Sequence, residues 1–168
     1  VNALEKVLDR GDIRFLGNVN YGRDLTLKDF RHFYDAIIFA TGALKDAPLD
    51  IPGIELEGSF GGADFVSWYD GNPDVPRDWP LDAREIAVIG NGNVALDVAR
   101  ALVMNPDELA RTDMAEHAVE ALRNSAIQEV VVVGRRGPAQ AAYTNPELLA
   151  LGGNGKMKLC RSISAVFF

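Results

Sequence analysis

The stretch Glu85-Ile-Ala-Val-Ile-Gly-Asn-Gly-Asn-Val-Ala-Leu-Asp-Val-Ala-Arg100 decides how the rest of the chain is read. Glu85 to Ile89 is a short apolar run, and such a run bounded by a turn predicts a strand. Gly90-Asn-Gly92-Asn breaks it. From Asn93 to Met104 the spacing of Ala95, Val98, Ala99 and Leu102 predicts a helix with one apolar face, and Pro106 ends it. Gly90, Gly92 and Ala95 therefore match G-x-G-x-x-A between a strand and a helix, where the pattern has a mechanism. The first glycine permits a tight turn. The second removes a Cβ, so that the backbone can approach a pyrophosphate. A small residue at Ala95 lets helix and strand pack closely, and the helix N-terminus offers N–H groups and partial positive charge to the phosphates. The competing reading is a glycine turn with no ligand.

Working toward the C-terminus, a second helix is predicted near Met114 to Asn124, with Ala115, Ala118, Val119 and Leu122 as its stripe and Asp113 and Glu116 suited to its N-terminal dipole. Glu129 to Val133 is a β-branched strand. Strand, helix, helix, strand is a βαβ unit with an inserted helix, so the expected fold is α/β: a Rossmann-type NAD(P)-binding domain with a parallel sheet. The second strand ends in Gly134-Arg135-Arg136-Gly137. An NAD site commonly has an acidic residue near this point to accept from the ribose hydroxyls. Arginine cannot accept, but it can clamp a 2′-phosphate through charge-assisted, often bidentate bonds. The residues thus favour NADP over NAD or FAD, and the alternative is a solvated basic corner. These arginines follow the glycines at more than twice the usual separation of about 20 residues, which the inserted helix accounts for. Pro138 suits a first helical position, and Asn145-Pro146-Glu147 is a further helix-start signal.

Composition narrows the classes. The chain has 168 residues, 48% of them hydrophobic and 24% charged, with a net charge of −7. This is a soluble globular balance that argues against binding to nucleic acid or an anionic membrane. No apolar run reaches membrane-spanning length. The single cysteine, Cys160, can form neither an internal disulfide nor a thiolate metal cluster, and fits a reducing compartment, cytoplasmic or, in a eukaryote, the mitochondrial matrix. His32 and His117 lack metal-ligand spacing, and Ser67, Ser125, Ser162 and Ser164 lack a nucleophile-elbow context. No catalytic side chain and no metal site is expected.

Toward the N-terminus, the first segment reads as a short helix, with Asn2 at capping-box spacing from Glu5, Leu4, Val7 and Leu8 on one face and Gly11 as its stop, and Ile13 to Leu16 reads as a short strand. Gly17, Asn18, Asn20 and Gly22 mark turns, and Ala36-Ile-Ile-Phe-Ala40 reads as a buried parallel strand closed by Thr41-Gly42. Residues 45 to 82 are rich in proline and glycine but carry Phe60, Phe65, Trp68, Tyr69 and Trp79, so an ordered crossing segment is expected, with a helix around Ala63 to Tyr69.

These words together resemble the adrenodoxin reductase-like ferredoxin–NADP reductase family. The resemblance rests on Ile86 to Arg100, on Val133-Gly-Arg-Arg-Gly-Pro-Ala-Gln-Ala-Ala142, on Asn105-Pro106, Thr112-Asp113 and Leu122-Arg-Asn-Ser125, and on Tyr34 to Ala43 followed by Ile51-Pro-Gly53. It runs over roughly residues 13 to 149. It implies hydride transfer from NADPH to FAD, and then electrons to a ferredoxin-type iron–sulfur protein. It further implies that Asn91, Gly92, Asn93 and Val94 meet the pyrophosphate, that Arg135 and Arg136 hold the 2′-phosphate, and that Glu147 lies near the nicotinamide, with a first-turn helix acid as the alternative for Glu147. Residues 1–45 are then expected to be the C-terminal part of the first half of an FAD-binding domain, 46–82 the crossing, and 83–168 the NADP-binding domain. The family's opening FAD-binding glycine motif and its closing Gly-Trp segment have no counterpart here, and 152–168 departs from the family. The expectation is an incomplete chain with an incomplete FAD site, binding NADPH but inactive alone. A glutamate synthase small subunit and a non-catalytic NADP-binding module remain the rival readings.

Overall fold

The computed structural model describes residues 2–43 and 45–134, with Thr144, Pro146 and Leu149 beyond them. Arg135, Arg136, Gly137, Pro138, Asn145, Glu147, Cys160 and the tail 152–168 lie outside the described residues. The chain divides into two compact units, Val1–Ala43 and Leu44–Phe168.

The first unit holds helix α1 (Asn2–Leu8) and helix α2 (Leu27–Phe33). Helix α1 ends where expected, and Gly11 takes a positive φ of 78° just past it. Helix α2 was not anticipated. Its signal is the capping box Thr26-Leu-Lys-Asp29: the Thr26 hydroxyl accepts from the Asp29 backbone N–H, and the Asp29 carboxylate accepts from the Thr26 N–H at 2.8 Å. Tyr21 stacks on Phe30 and meets Phe39 edge-on at 5.2 Å. The strands expected at Ile13–Leu16 and Ala36–Ala40 do not form, and Ile38 is 89% exposed. A strand requires a neighbour for its backbone N–H and C=O groups. Among the described residues of this unit, the only bridge outside helices is Tyr21 to Leu25.

The second unit follows the expected order. Helix α3 (Gly62–Tyr69) lies within the crossing segment, followed by strand β1 (Glu85–Ile89), helix α4 (Asn93–Val103), helix α5 (Pro106–Leu109), helix α6 (Glu116–Arg123) and strand β2 (Glu129–Val133). The strands pair in parallel from Glu85 opposite Glu129 to Ile89 opposite Val133. Parallel neighbours need a crossover, and α4 to α6 supply it. Helix α5 was not anticipated. Pro106 does end α4, but Asn105 then caps a new turn, its side chain accepting from the Asp107 N–H at 2.9 Å.

The core joins α3, α4, α5 and α6 through Phe65, Trp68, Leu81, Val98, Ala101, Leu109, Ala118, Val119 and Leu122. On α4 the buried residues are Leu96, Val98, Ala99 and Ala101, a wider arc than the predicted stripe. The reason is that α4 packs against both strands and against α3. Trp68 is fully enclosed, and its indole N–H donates to the Arg77 carbonyl at 2.7 Å, so the ring is buried without an unmet donor. Trp79 lies 5.7 Å from Trp68 and 5.4 Å from Phe65 between ring centres. The aromatic residues thus make the proline- and glycine-rich crossing an ordered structure. On the sheet, Ile86, Val88, Val130 and Val132 are half-buried, while Ile89, Val131 and Val133 are exposed on the other face.

Candidate functional site

Where β1 stops, the chain turns sharply. Gly90 continues the ladder by donating its N–H to the Val133 carbonyl at 2.8 Å, and then takes φ of 134°. Residues with a Cβ rarely adopt that conformation. A Cβ built on Gly90 would lie 3.5 Å from the Ala95 Cβ, an ordinary contact, so the backbone angle rather than lack of space requires glycine here. The same distance shows how close the turn comes to the first turn of α4, which is why a small residue stands at Ala95.

Gly92 is different. Its φ of −91° and ψ of 175° are open to any residue, and a Cβ there would meet no atom of the described residues within 4 Å. Neither conformation nor packing among the described residues calls for glycine at this position. Gly92 is also the N-cap of α4, and no side chain caps that helix. Its carbonyl accepts from the Leu96 N–H at 3.1 Å, the first intrahelical bond. The N–H groups of Asn93, Val94 and Ala95 therefore precede the first helical donor, that of Leu96, and lie at the helix start with the positive end of its dipole. Val94 is exposed beside them.

Two asparagine side chains flank Gly92 and contact the chain beyond β2. Gly134, the buried residue after β2, lies against Asn91: a Cβ on Gly134 would come within 2.7 Å of the Asn91 Nδ2 and 3.1 Å of its Cβ. Asn93 turns its Oδ1 outward to accept the Thr144 backbone N–H at 2.9 Å, across 51 positions of sequence. Sequence reasoning included both asparagines for their place in the motif but missed these contacts. Of the expected site residues, Gly90, Asn91, Gly92, Asn93, Val94 and Ala95 come together at the C-terminal ends of the parallel strands.

Titratable groups with altered affinity for protons lie away from this turn. Burial raises the Tyr69 phenol above its ordinary value, with the Asp70 and Asp97 charges adding and Arg100 opposing. Burial likewise raises Asp70. Arg100 is paired to Asp97 at 2.7 Å, one helical turn apart. His117 is spent on structure, its Nε2 3.1 Å from the Trp68 carbonyl. Among the described residues no group of three or more His, Cys, Asp or Glu could hold a metal ion, and no helix is long and apolar enough to cross a membrane.

Fold and turn together define an α/β protein with a parallel sheet, helices packed against it, and a glycine-rich strand-to-helix turn. No protein-family model matches the chain. Among curated proteins, NADPH-ferredoxin reductase FprA of Mycobacterium tuberculosis is 51% identical over 148 residues, which are 88% of this chain and 32% of that protein. The mitochondrial NADPH:adrenodoxin oxidoreductase of Arabidopsis thaliana is 46% identical over 150 residues, 88% of this chain and 31% of that protein. The solved structure of M. tuberculosis FprA in complex with NADPH matches with a TM-score of 0.81 at 49% identity, covering 92% of this chain and 34% of that one. The chain is thus a homologue of the adrenodoxin reductase-like ferredoxin–NADP reductases, and it spans about a third of the length of these relatives.

Proposed function

We propose that the chain is the NADP-binding portion of an FAD-dependent NADPH:ferredoxin oxidoreductase, with a Rossmann-type domain over 83–168, a crossing over 46–82 and a contribution to the FAD domain from 1–45. Gly92 carries the reading. It is a glycine that backbone and packing among the described residues do not require, at the start of a helix whose N-cap residue makes no side-chain cap. A ligand that needs the space over the turn gives it a reason, and a pyrophosphate has the charge and hydrogen-bonding capacity to suit the N–H groups there.

In this reading the backbone of Asn91 to Val94 meets the pyrophosphate, with Gly90 and Ala95 shaping the turn. Arg135 and Arg136 hold the 2′-phosphate. Arg135 directly follows in sequence the Gly134 that abuts the turn. Glu147 takes a place near the nicotinamide, as the family resemblance implies. The solved complex of M. tuberculosis FprA with NADPH supports the coenzyme.

FAD, when bound in the intact reductase, supplies the chemistry of taking a hydride and releasing electrons singly to an iron–sulfur protein of ferredoxin type. Residues 2–43 do not by themselves suit a flavin: Ala36–Ala40 is not a strand, and Ile38 stands exposed. The protein's own part is to bind and orient NADPH.

Paired titration with NADPH and NADH tests the reading. Each charge-assisted bond is worth about 1.5–3 kcal/mol, so replacing both arginines by alanine should cost NADPH roughly one to three decades of affinity and leave NADH little changed. Equal losses for both coenzymes would reject the 2′-phosphate assignment.

A further inference from the structure

We infer that Asn91 is a positioning residue for the coenzyme's pyrophosphate: its side chain, seated on the bare Cα of Gly134, holds the glycine turn against the exit of β2. This rests on the proposed NADP reading and extends it. The glycines at the two strand ends are there for different reasons. Gly90 is required by its φ of 134°. At Gly92 an added Cβ meets no atom of the described residues within 4 Å. Gly134 fits neither case. Its φ lies outside the left-handed region, so its backbone admits any residue. What excludes a side chain there is Asn91: a Cβ on Gly134 would lie 2.7 Å from the Asn91 Nδ2, 3.0 Å from its Cγ and 3.1 Å from its Cβ. Gly134 is buried, and a close-packed site takes up such contacts only by moving one of the partners.

The partner that would move is the turn itself. Asn91 is the single residue between the last ladder bond, from the Gly90 N–H to the Val133 carbonyl at 2.8 Å, and the helix N-cap Gly92. The register that sets Ile89 opposite Val133 brings Asn91 over Gly134. The turn is therefore tied to β2 twice, by backbone at Gly90 and by side chain at Asn91. In a Rossmann-type fold the pyrophosphate sits at the turn after the first strand and the ribose near the end of the second. The seat of Asn91 thus sets the turn relative to β2 before the coenzyme arrives, and such preorganisation lowers the cost of binding. The pyrophosphate is common to NADPH and NADH, so this pair acts on both coenzymes alike, unlike the arginines proposed for the 2′-phosphate.

The test uses the full 168-residue chain, with NADPH and NADH titrations well below the melting temperature of each variant and the amide NMR signals of Asn93 and Val94 in the free protein. Gly134→Ala should weaken both coenzymes alike by roughly 5- to 150-fold, the cost of overpacking a fitted site, and should move both amide signals. Asn91→Ala frees the turn and should weaken both coenzymes by roughly two- to tenfold. The double variant lacks the two shortest contacts. It should bind more tightly than Gly134→Ala alone and bring the amide signals back toward their wild-type positions. A merely structural role would lower the melting temperature and leave those signals in place, and uncoupled sites would multiply their losses in the double variant. Either result overturns the inference, as does a loss confined to NADPH. Should Gly134→Ala fail to fold, Asn91→Ala decides: wild-type affinity with unmoved amide signals overturns it. Gly92→Ala serves as the reference. If it loses NADPH affinity while Gly134→Ala keeps it, the positioning role is wrong and the NADP reading stands. If the wild-type chain binds neither coenzyme, the NADP reading fails and the inference falls with it.

Discussion

Replacing Gly92 with alanine should separate stability from binding, because the fold places no demand on that position. The φ of −91° is accessible to alanine, and the added Cβ has no atom of the described residues within 4 Å. Alanine is a poorer N-cap than glycine by up to about 1 kcal/mol, while the reduced freedom of the unfolded chain returns about 0.4–1 kcal/mol. The net change in stability is close to zero. A pyrophosphate seated on the backbone of Asn91 to Val94 would meet the new methyl group. Overpacking of a fitted site costs about 1–3 kcal/mol, a loss of roughly 5- to 150-fold in affinity. Gly90→Ala is the control of opposite sign. Its φ of 134° penalises alanine by about 1–3 kcal/mol, or roughly 2–12 °C of melting temperature for a chain of this size. Thermal melts and NADPH titrations on both variants give the answer. A Gly92→Ala protein that melts with the wild type and binds NADPH equally well would refute the argument that ligand approach is what calls for glycine there.

Two further outcomes follow from local geometry. Trp68→Phe removes the indole N–H donated to the Arg77 carbonyl and some buried volume, and should destabilise the second unit by about 1–3 kcal/mol; an unchanged denaturant midpoint would contradict that bond's role. The Asp29 carboxyl is held below the usual carboxylate range, first by the Thr26 hydroxyl and then by the Thr26 N–H. A lowered folded value means the capping box contributes fully above the unfolded value of about 3.9 and is lost as pH falls through the folded one. An NMR titration should therefore find the Asp29 midpoint below that of an unfolded peptide, and a midpoint at or above it would rule out the box.

The elements that could be read in advance share one property: their signal is periodic and local. Strands β1 and β2 are legible in the sequence because each is a glutamate followed by four apolar residues and closed by glycine. Helices α4 and α6 announced themselves by apolar spacing. Helices α2 and α5 have seven and four residues, too short for a periodic stripe, and only their caps, Thr26 with Asp29 and Asn105 before Pro106, gave notice of them. Ala36–Ala40 shows the opposite failure. Its apolar run suits a buried parallel strand, but apolarity cannot supply the neighbouring strand that such a structure needs.

The sequence by itself determined the order of strand, glycine turn and helix, and the residue types that suit an anion at the helix start, because these depend on neighbours along the chain. Tertiary structure alone decided which glycine serves the backbone and which is left without an internal reason. The angle at Gly90 and the open space over Gly92 are set by how α4 meets the sheet. It alone brought Asn93 to Thr144, since a contact across 51 positions comes from the path of the folded chain and leaves no trace in local spacing.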